Sequence, residues 1–202
     1  MHDHFLTVGN IALCLVALLN AQRLFKVHRA PAVGFFLVAC SAGLSALPSS
    51  PLLVSVREDL QWVAEVLGPA MVAFGFLWLS DDHSTAYVLL TGSALLSTLT
   101  DWLSRDGLTV MSRCMALSSL SCSLTVCLFA GNILGVLGSV ALSLPAIVAL
   151  NSTSPLVSPE AAGGVLKSVL IGTTTLGCWS IRQSLEKYFQ DLQGWDRNNI
   201  LT

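Results

Sequence analysis

LQWVAEVLGPAMVAFGFLWL, residues 60–79, decides how the rest of this chain is read. As a helix it reaches about 30 Å, the thickness of a bilayer's hydrocarbon core. Trp62 and Trp78 stand near its two ends, where amphipathic rings settle at headgroup level. It also carries a carboxylate, Glu65, and a Gly68-Pro69 pair that interrupts regular helical hydrogen bonding. An acid inside a membrane span is costly, so it needs a partner, water, a proton or a function.

The composition agrees with a bilayer as solvent. The 202 residues are 53% hydrophobic and 11% charged, with mean hydropathy +0.72. A soluble domain carries about 25% charged residues, and halving that leaves too little polar surface to cover a globule. The net charge of −2 and the absence of a basic block exclude nucleic acid as an expected partner. The six cysteines, Cys14, Cys40, Cys114, Cys122, Cys127 and Cys178, all fall in apolar runs and read as small buried hydrophobes. Neither a metal nor any other cofactor is indicated. The start, Met1-His2-Asp3-His4, lacks the basic region of a cleavable signal, so the first apolar run reads as a retained span.

Outward from residues 60–79, apolar runs at 5–25, 31–47, 85–103, 108–129, 133–150 and 161–181 complete an all-α, seven-span bundle. Residues 52–56 are apolar but too short to cross, and Arg57-Glu58-Asp59 reads as an interfacial boundary. The run from 108 to 150 would reach about 64 Å as one helix, so it must reverse, and Ala130-Gly131-Asn132 is the place. Residues 182–202 form a second unit, an amphipathic tail whose Leu185, Tyr188, Phe189 and Leu192 follow helical spacing. It reads as a helix continuing from the last span along the interface, or as a helix that docks a partner. Arg23, Lys26 and Arg29 follow the first span, and Arg182, Lys187 and Arg197 follow the last. That bias sets the N-terminus outside or in a lumen and the C-terminus in the cytosol. The sequon Asn151-Ser152-Thr153 then lies outside, as a possible glycosylation site.

This topology gathers the intramembrane polar residues. Glu65, Arg113 and Lys167 each lie five or six residues inside a span that enters from the outside, about 8–9 Å deep. Asn10 is at similar depth, and Asp101 is shallower. Glu65 is expected to pair with Arg113 or Lys167, with Asp101 joining at the rim. The alternative is that the cations snorkel to the headgroups. Gly131, Gly135, Ser139 and Ser143 recur every four residues, a small-residue stripe for close helix packing. Ser119, Ser123 and Cys127 repeat that spacing, which points to a tight antiparallel hairpin, or else to a homodimer face.

No span contains a His, and Gly-x-Ser-x-Gly is absent, so rhomboid-type proteolysis and intramembrane zinc chemistry are not indicated. Rhodopsin-like, small sugar-transporter and ceramidase-like signatures are also missing. In general style the whole chain resembles the uncharacterised vertebrate multi-pass transmembrane proteins, without a diagnostic motif. The leading expectation is a non-enzymatic accessory or assembly component in the bilayer, partnered by a membrane protein or by its own copies. The alternative is a small transporter or channel using the charged layer, and the third is a membrane-embedded lipid-modifying enzyme.

Overall fold

A computed structural model of the chain describes residues 2–26, 29–47, 51–99, 102, 104–148 and 161–200, and contains no strand among them. Seven helices follow in order: α1 His2–Phe25, α2 Arg29–Ala46, α3 Pro51–Leu79, α4 His83–Thr98, α5 Arg105–Phe129, α6 Ile133–Val148 and α7 Ala161–Ile200. Of these, α1, α2, α3, α5 and α7 carry stretches long and apolar enough to cross a membrane. The 16-residue α4 and α6 reach about 24 Å. Val8, Leu15, Val88, Leu137 and Val169 are exposed on the outer surface, where lipid rather than water is the fitting solvent. The protein is a helical, multi-pass membrane bundle.

The helix that holds residues 60–79 is its hub. α3 packs against α2, α4, α5, α6 and α7, while α1 closes the circuit between α2 and α7. Small residues make this possible: Ala64, Gly68, Ala70, Ala73 and Gly75 are all buried along α3. A Cβ on Gly34 of α2 would come within 2.9 Å of Met71 Cβ and 3.1 Å of the Gly68 carbonyl oxygen. A Cβ on Gly75 would collide with Pro31. Lipid gives helices no hydrophobic reason to associate, so close approach and dispersion must supply it.

α3 differs from the sequence expectation in two ways. It begins at Pro51, so Arg57, Glu58 and Asp59 lie inside the helix and not at its boundary. The reason is a partner for the cation. Arg57 Nη2 donates to the Leu44 and Leu47 carbonyls, at 3.1 and 2.8 Å, and so closes the C-terminal end of α2. The helix also continues through Gly68-Pro69. Pro69 still leaves the Glu65 carbonyl without its usual amide donor.

Two reversals, α3–α4 and α5–α6, are built alike. Gly131 takes a left-handed φ of 64°. The amides of Gly131 and Asn132 then reach back to Leu128 O (3.1 Å) and Cys127 O (2.8 Å), closing the end of α5. Fifty residues earlier Asp81 takes φ 66°, and the amides of Asp81 and Asp82 reach Trp78 O (3.3 Å) and Leu77 O (3.1 Å). The last residue of each turn caps the next helix: Asp82 Oδ1 accepts from Thr85 N, and Asn132 Oδ1 from Gly135 N, both at 3.2 Å. Asn132 does one thing more, donating through Nδ2 to Ser184 O of α7 at 3.1 Å.

Gly135, Ser139 and Ser143 of the expected stripe are buried, as are Ser119, Ser123 and Cys127 on α5. A Cβ on Gly135 would clash with the Cys127 thiol and lie 2.6 Å from Ser184 Oγ, so this one glycine serves both α5 and α7. Gly131 belongs to a different role: nothing lies within 4 Å of its Cβ position, and it supplies backbone conformation, not packing. The tightest α6–α7 contact is off the stripe, at Gly138, where a Cβ would meet Ile181 Cγ1 at 2.6 Å and Ile181 N at 2.9 Å. Ser180 Oγ donates to Leu134 O across the same interface at 2.7 Å. Within helices, hydroxyls bond back to their own turn, Ser119 to Met115 O and Ser143 to Ser139 O, so they can be buried against neighbours.

Three substitutions test this arrangement by thermal unfolding in mild detergent. Gly138→Ala overpacks α6 against the α7 backbone and should cost about 1–3 kcal/mol. Gly131→Ala should cost about 1 kcal/mol although its side chain has free space, because the loss is conformational. Asn132→Asp keeps the cap and loses the donor to Ser184 O. It should therefore retain part of the stability that Asn132→Ala loses, with the full loss about 1–3 kcal/mol.

Candidate functional site

The two like turns lie at one end of the bundle, and between them opens a cleft of about 700 Å³. α3 and its turn contribute Leu77, Ser80 and Asp82, and α4 contributes Thr85. From α5 come Ser121, Cys122, Thr125, Val126, Phe129 and Ala130, and from α7 Tyr188 and Asp191. One wall is apolar and the other is hydroxyl and carboxylate.

Its polar groups are mostly acceptors. Ser80 Oγ donates to Leu77 O at 2.9 Å, and Thr125 Oγ1 to Ser121 O at 2.8 Å. With their protons committed to the helix, these oxygens offer lone pairs to the cleft. Hydrogen bonding from Thr85, its side chain first and its amide second, holds the Asp82 carboxyl below the usual carboxylate range. Asp82 is therefore ionised at neutral pH, and Asp191 adds a second carboxylate. No cationic side chain lines the cleft. The chemistry it accommodates is a donor-rich, positively charged group with an apolar body.

An aromatic group frames the α3–α4 turn. Trp78 stacks on Phe74 with ring centres 5.4 Å apart and meets His83 edge-on at 4.1 Å and Tyr87 at 5.9 Å. His83 Nδ1 lies 3.1 Å from Asp81 O. This places Trp78 at the end of its span, where an amphipathic ring meets both solvents.

The expected charged layer is arranged differently. Glu65 Oε1 accepts from Gln61 Nε2 at 2.9 Å, one turn back on the same helix. Because α3 starts at Pro51 and ends at Leu79, Glu65 stands at its midpoint. Arg113 is half-buried with Nε unpartnered, and Lys167 is exposed. The ion pairs among the described residues are His83–Asp81 at 3.4 Å and Arg182–Glu186 at 3.7 Å, so Glu65 is joined to neither Arg113 nor Lys167. Asn10 is half-buried beside Gly9, whose Cβ position lies 3.4 Å from Ile171 of α7. Asp101 and Asn151 lie outside the described residues.

The cleft was not anticipated from sequence. Asp82 and Asp191 are far apart in the chain and share no motif. The available signal was the recurrence, fifty residues apart, of an apolar helix end followed by Ser80-Asp81-Asp82 and by Ala130-Gly131-Asn132. That recurrence sets two reversals at the same end.

No family model matches the chain, and no solved structure matches it. Curated relatives do. Over 144 residues it is 29% identical to transmembrane protein 276 of Homo sapiens, covering 70% of this chain and 73% of the relative. The Mus musculus protein of the same name gives the same identity and coverage. Against transmembrane protein 276 of Bos taurus the identity is 32% over 141 residues, 67% of this chain and 69% of the relative. With identity at that level over two thirds of both chains, this protein belongs to the transmembrane protein 276 family.

Proposed function

We propose that this membrane protein is a non-catalytic assembly component that presents the far end of α7 to a partner protein in the cytosol. The observation that carries the reading is the length of α7. Its 40 residues reach about 60 Å, twice the hydrocarbon core. α6 holds it as far as Ser184 and Leu185, both fully buried. From there the helix continues to Ile200, about 22 Å beyond the packed bundle. The reversals at that end are short, so the projecting helix is the largest feature the bundle offers there. The cytosolic side is supported by the exposed Arg23, Lys26, Arg29 and Lys187 near the same end.

The cleft supports a second reading, a small transporter or carrier for protonated amines. In it Asp82 and Asp191 receive the cation, and Glu65, midway along α3, is the next carboxylate inward. The charged residues Arg113, Lys167 and Asp101 belong to this reading as the opposite rim.

The two readings separate in one preparation. Deleting residues 192–202 should leave the unfolding temperature of the bundle unchanged and reduce its complex, sized in mild detergent, to the free protein. A complex unchanged by the deletion would refute the assembly reading. Uptake of a protonated amine into proteoliposomes, lost in Asp82→Asn with Asp191→Asn, would establish the carrier instead.

A further inference from the structure

At the end where the turns lie, α1 and α7 bury two hydrogen-bond donors that have no acceptor. Asn20 is 2% exposed, and its Nδ2 is unpartnered. Arg182 Nε is also buried without a hydrogen-bond partner. Its ion-pair neighbour, Glu186 one turn along, stands at 3.7 Å, beyond hydrogen-bond length.

The helices bring these two donors to one place. α1 and α7 pack on each other and touch at Gly9 and Ile171. Both are odd-numbered in a chain of alternating helices, so they run in the same direction. Eleven residues on from that contact are Asn20 and Arg182. Eleven residues make about three turns, which returns each helix to the face it started on. Asn20 and Arg182 therefore stand level, on the two faces that meet. The charge around them is positive: Arg23 and Lys26 on α1, Arg29 on α2 and Lys187 on α7 are exposed nearby, against Glu186. Buried donors in a cationic setting call for an anion with several acceptor oxygens. A guanidinium suits phosphate in particular.

We propose that α1 and α7 hold a phosphate group between them, bound by the Asn20 amide and the Arg182 guanidinium. The phosphate is that of a lipid headgroup or of a free phosphate ion. A lipid bound here would lay its chains along the exposed Leu15 and Leu19 of α1 and Leu176 of α7. This site is separate from the acidic cleft and independent of which way the bundle faces.

The test uses the full chain in a zwitterionic detergent. Phosphatidic acid, phosphatidylcholine and inorganic phosphate are titrated separately, with bound ligand counted by native mass spectrometry and the unfolding temperature recorded. One phosphatidic acid should bind per chain and raise that temperature. Asn20→Asp, which keeps the shape and replaces the donor with a negative charge, should weaken binding at least tenfold. Arg182→Gln should do the same, and Lys167→Gln, at the other end of α7, should not. An equal effect of inorganic phosphate identifies the free ion as ligand, and an effect of the lipid alone identifies the headgroup. Binding equal in Asn20→Asp and the unaltered protein would overturn the site. So would no binding of any phosphate, with Asn20 and Arg182 then satisfying each other once the amide is reversed. Because Asn20→Asp and Arg182→Gln are each compared without ligand first, loss of folding is told apart from loss of binding.

Discussion

Every helix in a bilayer ends with backbone groups that neither lipid nor the helix itself can satisfy, and this bundle is organised around closing those ends. At the α3–α4 and α5–α6 reversals, a left-handed residue turns the chain and two amides return to the last carbonyls. A polar side chain then caps the next helix. At the α2–α3 connection a guanidinium does the same work from outside the turn. Asn132 extends the scheme from local to tertiary structure, since its second polar atom fixes α7 against the α5–α6 hairpin. The cleft follows from this geometry, because two reversals built alike and set at one end leave a space between them.

Closure at the ends lets the middles be held by shape alone. Along α2, α3, α6 and α7 the contacts are of glycine with backbone or with a short side chain. Buried serines add polarity without cost, because their protons return to their own helix. An interior of this kind has little use for ion pairs. Glu65 finds its hydrogen bond on its own helix, through Gln61.

What the sequence revealed and what it hid divide along physical lines. Hydropathy and length reveal helices, and so the bundle was legible, as was the reversal at Ala130-Gly131-Asn132, where 43 apolar residues had to turn. The buried serine stripe was legible because helical spacing puts its members on one face. Charge alone misled at residues 57–59, since a cation stops a helix only when water must solvate it, and Arg57 has two carbonyls instead. Depth counting overestimated the Glu65 pairing, because equal depth does not bring side chains within reach across two helices. The Gly138–Ile181 contact and the cleft depend on which helix neighbours which, and no local spacing carries that information.

One consequence belongs to α7 as a mechanical object. It is one uninterrupted helix from the bundle to Ile200. Its buried part is gripped on one side through Gly138, Ser180 and Ser184, and touches α1 at Ile171. A helix is stiff in torsion over this length, so a rotation imposed where it is gripped arrives at its free end with nothing in between to absorb it. The bundle and the projecting end thus form a shaft and its crank. Whatever shifts α1 or α6 against α7 within the membrane is read out about 22 Å away.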